Sequence, residues 1–311
     1  MDWWQAIVLG IVEGLTEYLP VSSTGHLILV QRMMGLEGEA ANAYAVCIQG
    51  GAIIAVLGLY WTRVKQAVAG WLGKVGIGKG DEVGFQLGVN LIVAFLPAAI
   101  IGLIFDDMIE EYLYGLWPIV TAWLVGGLAI LATVWWKKKK GGSEEAGMLV
   151  EQITWKMALA IGFLQCIAMW PGTSRSLVTI VGGVLVGLSL ASAVEFSFLL
   201  GVITLLAATC YKAIKAGPVM LEAYGWEPMI VGSIAAWISA VLAVKWMVGY
   251  LKKNGMSIFG YYRVVLAITV AGAILAGVLK PLTAPAAIPK PAIDQLIEKY
   301  QPVDAGRPVV D

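Results

Sequence analysis

The stretch Gly10–Leu27, GIVEGLTEYLPVSSTGHL, places two glutamates, a hydroxyl cluster and the single histidine of the chain within an otherwise apolar region. Glu13 and Glu17 are four residues apart, so they lie on one face of a helix, and Pro20 ends that helix. An ionised carboxylate in hydrocarbon costs several kcal/mol unless water or a cation accompanies it. The stretch therefore predicts a polar cavity or an ion site inside an apolar protein.

The remainder of the chain is apolar enough to be an integral membrane protein. Its 311 residues are 59% hydrophobic and 14% charged, whereas soluble domains are about 45–50% apolar and about 25% charged. Six segments approach the roughly 20 apolar residues that cross a bilayer. They are Ala45–Tyr60, Leu87–Phe105, Trp117–Trp136, Val194–Tyr211, Met229–Val248 and Ser257–Leu279. We expect membrane lipids as partners and no nucleic acid.

A second polar break follows the pattern of the first after about 152 residues. The segment Gly162–Thr179, GFLQCIAMWPGTSRSLVT, sets Gln165 against Glu13 and Pro171 against Pro20, and a Ser/Thr-rich turn comes next. The same offset continues in the apolar segments downstream. The pattern favours an internal duplication with one break in each half.

Each break is flanked by at least one helical piece that is too short to span a bilayer at 1.5 Å per residue. We therefore predict an all-α polytopic membrane protein with an inverted repeat, each half being a re-entrant helical hairpin plus three transmembrane helices. The membrane domain is predicted over residues 1–280, with repeats at 1–140 and 155–280. Residues 281–311 form a Pro- and Ala-rich tail that we expect to be flexible.

Basic residues concentrate in the loops after the first, third and fifth spans, as in the run Lys137–Lys140. By the positive-inside rule these loops face the cytoplasm, and both termini face outward. The first hairpin then enters from the outer face and the second from the cytoplasm, so that their turns meet. The active site is expected to open to the outer face.

Both breaks carry hydroxyls that can cap the half-helix that follows. The candidates are Ser22, Ser23 and Thr24 in the first break and Thr173 and Ser174 in the second. Two helix N-termini directed at one point form an anion site, to which Arg175 adds a forked cation. The simpler alternatives are capping alone and a salt bridge from Arg175 to Glu13 or Glu17.

His26 follows the first break by less than one helical turn, and it can accept and return a proton near neutral pH. The nucleophile is therefore expected among Ser22, Ser23 and His26, unless His26 is merely a packed side chain. Glu13 and Glu17 supply acid–base support or hold a hard cation such as Mg²⁺ with phosphate oxygens. These groups fit a phosphate ester or anhydride attached to a lipid whose chain stays in the bilayer.

The segments EGLTEYLPVSSTGHL and LQCIAMWPGTSRS resemble the two signature segments of the undecaprenyl-diphosphate phosphatases of the bacitracin-resistance type. The resemblance covers about residues 1–280. It implies an enzyme of the bacterial inner membrane that removes the terminal phosphate of the C55 isoprenoid diphosphate and so recycles the lipid carrier for cell-wall synthesis. It also implies an inverted-repeat fold and a divalent cation, Mg²⁺ or Ca²⁺. A homodimer is left open.

Position by position, the resemblance matches Glu13 and Glu17 to the acidic pair of the family, Ser23 to its proposed nucleophile, and His26 and Arg175 to its histidine and phosphate-binding arginine. The residues expected to bind the phosphate with Arg175 are the hydroxyls of Ser22, Thr24, Thr173, Ser174 and Ser176, and Arg263, which matches a further arginine in the last span. Serine and histidine have both been argued as the attacking group. We favour Ser23 with His26 as its base.

The main alternative is a secondary transporter or flippase for an anionic or lipid-linked substrate, because broken helices and inverted repeats are also typical of transporters. A carrier needs only binding groups, whereas an enzyme needs a nucleophile and a proton acceptor. A non-catalytic membrane scaffold is the third interpretation.

Overall fold

A computed structural model describes residues 1–139 and 146–279, apart from the side chains at positions 107 and 110. In this part of the chain the regular structure is helical, which confirms the predicted all-α class. The helices are α1 (Trp3–Thr16), α2 (Ser23–Met33), α3 (Glu39–Leu59), α4 (Trp61–Lys74), α5 (Glu82–Leu113), α6 (Leu116–Lys139), α7 (Trp155–Gln165), α8 (Arg175–Leu185), α9 (Leu190–Tyr224), α10 (Trp226–Asn254) and α11 (Ser257–Leu275). The predicted tail at 281–311 lies outside the described residues.

Six of the described helices, α3, α5, α6, α9, α10 and α11, are long and apolar enough to cross a membrane. This confirms the predicted number of spans. Several helices extend beyond the apolar segments, and α9 continues through Lys212 to Tyr224. The extension has a simple cause, since a helix needs apolar side chains only where lipid surrounds it, and charged residues can continue the same helix outside the bilayer.

Short helices flank both breaks. The first break separates α1 from α2, and the second separates α7 from α8, with a 3-10 turn at Cys166–Met169. Helices α2, α7 and α8 have 11 residues each. At 1.5 Å per residue each is roughly 16 Å long, about half the thickness of the hydrocarbon core. None of these three helices crosses a bilayer alone.

Helix α4 is absent from the sequence prediction, because its apolar residues are interrupted by charges. Its Arg63 donates to Glu151 and Glu195, both at 2.5 Å, and so connects α4 to the segment before α7 and to α9. Only Gly70 of this helix is buried. We therefore describe α4 as an amphipathic helix inserted between the first two long helices.

Small residues allow α1 to pack closely on α10. A Cβ atom at Gly10 would overlap the carbonyl oxygen of Gly232, and one at Gly14 would overlap that of Ala236. Such contacts are typical of helices in membranes, where small residues let two backbones approach. This packing buries the face of α1 that carries Glu13. Helix α3 lies between α9 and α10, and α11 packs on α6.

Candidate active site

A serine in a left-handed backbone conformation closes each break. Ser22 has φ 74° and Ser174 has φ 76°, and in the described part of the chain they are the non-glycine residues with positive φ. Each is the N-cap of the next helix, since its hydroxyl accepts from the N–H of Gly25 or of Leu177. Such a conformation costs on the order of 1–3 kcal/mol, so it persists only where the surroundings require it. Both breaks therefore present a helix N-terminus in the same way.

The two breaks lie against each other. The hydroxyl of Ser176 donates to the carbonyl oxygen of Leu19 at 3.0 Å, and it is 2.9 Å from the hydroxyl of Ser174. Ser176 is fully buried, and Thr173 is also buried in the second break. Neither side chain lines the cavity described below. We therefore correct their expected role: Ser176 joins the two breaks, because its hydroxyl is used by the backbone of the first.

Arg263 connects the breaks more extensively. Its side chain is 0% exposed, and it donates to the carbonyl oxygens of Pro20 in the first break and Gly172 in the second. It also donates to the carbonyl oxygens of Ala122 and Trp123 in α6. Backbone carbonyls surround its guanidinium, and Arg263 is not among the residues that line the cavity. The geometry therefore gives no support to a role in phosphate binding, which stays a prediction.

Glu17 links a cation to a hydroxyl. Its Oε1 accepts from Nη2 of Arg175 at 3.0 Å, and its Oε2 accepts from Oγ of Ser23 at 2.5 Å. All three side chains are nearly buried. The predicted salt bridge of Arg175 is present, but the bridge continues to a hydroxyl at the N-terminus of α2. The arrangement supplies a cation, a carboxylate and a polarised hydroxyl in one hydrogen-bonded chain, which we call the Arg175–Glu17–Ser23 chain.

A cavity of about 480 Å³ adjoins this chain of groups. Its polar lining includes Glu17, Ser22, Ser23, Thr24, Gln49, Gln165, Ser174, Arg175 and Thr204. Its apolar wall is made by α5 and α9, with Ala98, Ala99, Gly102, Leu103, Ala207 and Ala208. The cavity thus has a polar region at the breaks and an apolar side between two long helices. This division suits a molecule that has a charged head and an apolar chain.

Glu13 is 0% exposed, and neither oxygen of its carboxylate has a hydrogen-bond partner in the described part of the chain. A buried carboxylate without partners is unfavourable unless a cation or a proton neutralises it. Glu13 also interacts electrostatically with Glu17 and Arg175. No three His, Cys, Asp or Glu side chains of residues 1–139 and 146–279 form a metal site. Glu13 does not line the cavity, and a hard cation held by the two glutamates with further oxygen ligands from the substrate stays a prediction.

Both ring nitrogens of His26 have partners away from Ser23. Nδ1 is 2.7 Å from the carbonyl oxygen of Ser22, so this nitrogen carries a hydrogen, and Nε2 is 2.8 Å from the hydroxyl of Tyr262. The ring stacks on Tyr262, and His26 does not line the cavity. We therefore correct the expected pairing, because Ser22 and Tyr262 hold the imidazole while Glu17 accepts the hydrogen bond of Ser23. A part for His26 in proton transfer stays a prediction.

The structure also brings polar residues to the cavity that the sequence interpretation did not assign. Gln165 and Thr204 are hydrogen-bonded to each other at 3.3 Å, and Nε2 of Gln165 is buried without a partner in the described residues. Gln49 reaches the cavity from α3. A polar side chain within an apolar span is a usable signal for such residues. For Gln165 the sequence contained a second signal, because this residue aligns with Glu13 in the predicted repeat.

The comparisons with known proteins agree with this geometry. The family model described as "Bacitracin resistance protein BacA" matches residues 6–269, a range that contains both breaks. A protein named "Undecaprenyl-diphosphatase" from Sorangium cellulosum is 42% identical, over 86% of this chain and 84% of its own. Proteins of the same name from Ectopseudomonas mendocina and Nitrosospira multiformis are 38% and 40% identical, each over 87% of this chain and over 94% and 95% of their own. The chain therefore belongs to the bacitracin resistance protein BacA family.

Proposed function

We propose that this protein is an integral membrane phosphatase that hydrolyses undecaprenyl diphosphate to undecaprenyl phosphate and inorganic phosphate. The relatives carry the name of this activity. The observation that carries the proposal is the Arg175–Glu17–Ser23 chain, which lies beside a cavity with an apolar wall. In the bacterial inner membrane such an enzyme recycles the lipid carrier of cell-wall synthesis.

Arg175 is the proposed phosphate-binding group. A guanidinium has five N–H donors, of which one on Nη1 goes to Ser197 and one on Nη2 goes to Glu17. Nε has no partner in the described part of the chain. Donors therefore remain for phosphate oxygens, and the N-termini of α2 and α8 add backbone N–H groups and positive dipole ends. Thr24 and Ser174, which line the cavity, supply hydroxyls.

Ser23 is the proposed nucleophile, with Glu17 as its base. Oγ attacks the terminal phosphorus while its proton passes to Glu17, and the bridging oxygen leaves with the bonding electron pair on the lipid monophosphate. Water then attacks the phosphoserine. Oγ leaves and recovers its proton from Glu17, and both protons of the water remain with the released phosphate. The Ser23–Glu17 hydrogen bond supports this assignment over His26.

A divalent cation, Mg²⁺ or Ca²⁺, would be held by Glu13 and Glu17. A bound cation of this kind polarises a phosphoryl oxygen and offsets the charge of the diphosphate. The buried carboxylate of Glu13 supports the proposal, because its oxygens have no hydrogen-bond partner in the described part of the chain and the nearby Arg175 is already paired with Glu17.

The inverted repeat and the re-entrant hairpins are part of the proposal. The equivalent conformations and caps of Ser22 and Ser174 support a duplication. The short helices on either side of the breaks support hairpins that return to the side from which they enter. Two halves related in this way place their breaks together at the membrane midplane. The membrane domain with two repeats and the homodimer stay predictions.

The proposed orientation sets both termini and the site opening on the outer face, and it can be tested by thiol labelling. In a cysteine-free variant, Glu37→Cys should react with a membrane-impermeant maleimide added to intact cells, whereas Lys79→Cys should react only after lysis. Both positions are exposed in the structure. Labelling of position 79 but not of position 37 in intact cells would contradict the proposed orientation and support the opposite one.

Hydrolysis itself is tested with purified protein in detergent and a C55 or C15 diphosphate. We expect release of inorganic phosphate, and Arg175→Ala should lower kcat about 100-fold to 1,000-fold, as removal of a charge-stabilising donor does elsewhere. Arg175→Lys should restore little of the lost activity, because a lysine ammonium cannot make the two parallel hydrogen bonds that a planar guanidinium makes to phosphate. Arg63→Ala, outside the cavity, is the matched control. Tight binding without phosphate release under several divalent ions would favour the carrier instead.

The nucleophile is identified by trapping the phosphoenzyme. With substrate labelled in the terminal phosphate, parallel acid and alkaline quenching should show label on Ser23 that survives acid but not alkali, the reverse of a phosphohistidine, and Ser23→Ala and Glu17→Gln should both lose it together with turnover. His26→Gln should keep measurable turnover, because His26 does not contact the Ser23 hydroxyl. Label on His26, or an unchanged rate in Ser23→Ala, would contradict the assignment.

The cation site is tested by thermal unfolding of the protein in detergent, a measurement that does not depend on enzymatic activity. Mg²⁺ should raise the Tm of the wild type in proportion to RT ln(1 + [Mg²⁺]/Kd), measured with a non-hydrolysable diphosphate present. Glu13→Gln should shift this response to at least roughly tenfold higher Mg²⁺, since a charged ligand contributes more than about 1.4 kcal/mol. The exposed Glu37→Gln serves as the control. Equal Mg²⁺ dependence of the Tm in the wild type, Glu13→Gln and Glu37→Gln would show that Glu13 does not bind the cation.

A further inference from the structure

We infer that Gly201 in α9 is a positioning residue for Arg175, because the absence of a side chain at this position leaves a slot that the end of the guanidinium occupies. The inference rests on the proposed function, in which Arg175 binds the phosphate. Gly201 lies outside both signature segments, and its own atoms offer no side-chain chemistry.

The close approach of Arg175 to Gly201 carries the inference. A Cβ atom at position 201 would lie no more than 2.5 Å from Nη1, Cζ and Nη2 of Arg175, whereas real Cβ contacts are essentially never under 3.0 Å. These three atoms form the Nη1–Cζ–Nη2 end of the guanidinium, so this end of the side chain lies directly against the backbone of α9 at position 201. Only glycine permits this arrangement without moving the guanidinium.

Three further groups contact the guanidinium. Its Cζ lies 5.5 Å from the ring centroid of Tyr18 in the first break, which is within cation–π range. One edge donates to the carbonyl oxygen of Ser197 at 2.9 Å, one helical turn before Gly201, and another donates to Glu17. These contacts together hold the end of the side chain in place, while Nε has no hydrogen-bond partner in the described part of the chain.

The slot affects binding more than folding. Gly201 has ordinary helical backbone angles, and alanine is preferred over glycine inside a helix. The atoms that would meet the new methyl group are the end of a flexible side chain, which can move aside. The group that moves is, however, the proposed phosphate ligand. An alanine at this position should therefore preserve the fold and misplace the guanidinium.

Gly201→Ala and Gly249→Ala form a pair of glycine replacements inside long helices. Gly249 lies in α10 outside the cavity lining, and a Cβ atom there meets nothing within 4 Å. The affinity for a C15 methylene-diphosphonate should fall roughly 10-fold to 100-fold in Gly201→Ala, as for an impaired hydrogen bond to a charged group. It should stay within about twofold in Gly249→Ala, which adds a methyl group in open space. Both variants should keep the Tm of the wild type within a few degrees.

A double-mutant cycle separates positioning from general damage. In an Arg175→Ala background, Gly201→Ala should have no further effect on the affinity, because the group that it displaces is gone. The same loss in both backgrounds, or an unchanged affinity in Gly201→Ala, would overturn the inference while leaving the proposed function intact. A wild-type protein that neither binds the diphosphonate nor releases phosphate would refute the proposed function, and this inference with it.

Discussion

The contact between two broken helices is the constraint on which the structure depends, and one buried guanidinium maintains it. A break frees carbonyl groups that neither lipid nor apolar side chains can satisfy. Arg263 donates to one such carbonyl in each break, at Pro20 and Gly172, and anchors both to α6. Burying a cation is costly unless its donors are satisfied. Here the guanidinium of Arg263 donates to the free carbonyls. Separating the two breaks would leave a buried cation and buried carbonyl groups without hydrogen bonds, which is unfavourable.

This arrangement explains why the site has a cavity at its centre. Ser22 and Ser174 turn the chain sharply through left-handed conformations, so the next helix begins immediately after each break. The N–H groups at its start then point toward the junction of the two halves. Arg175 and Ser23 occupy the first helical positions and so lie at that junction. The strained serines thus convert two chain breaks into a place where an anion can be bound.

The sequence alone predicted the groups whose presence in an apolar segment has few explanations. Six spans followed from composition, and Glu17, Ser23 and Arg175 followed from polar breaks that lipid could not tolerate. The direction in which a side chain points is not visible in such a pattern. Arg263 was expected at the phosphate and His26 beside Ser23, whereas in the structure Arg263 donates to four carbonyl oxygens and His26 contacts Ser22 and Tyr262. Helix α4 was missed because it is amphipathic and short, and the role of Gly201 depends on a neighbour 26 positions away in sequence.

The proposed duplication would have diverged where the two breaks meet the cavity. The residues that correspond at the offset of about 152 include Glu13 and Gln165 as well as Ser23 and Arg175. Of these, Ser23, Gln165 and Arg175 line the cavity. The ion pair between Arg175 and Glu17 joins a cation from the second break to a carboxylate from the first. Two identical breaks would instead bring like charges together, which repel each other. Divergence of the proposed repeats thus lets one site bind an anion at Arg175 while a carboxylate stays beside it.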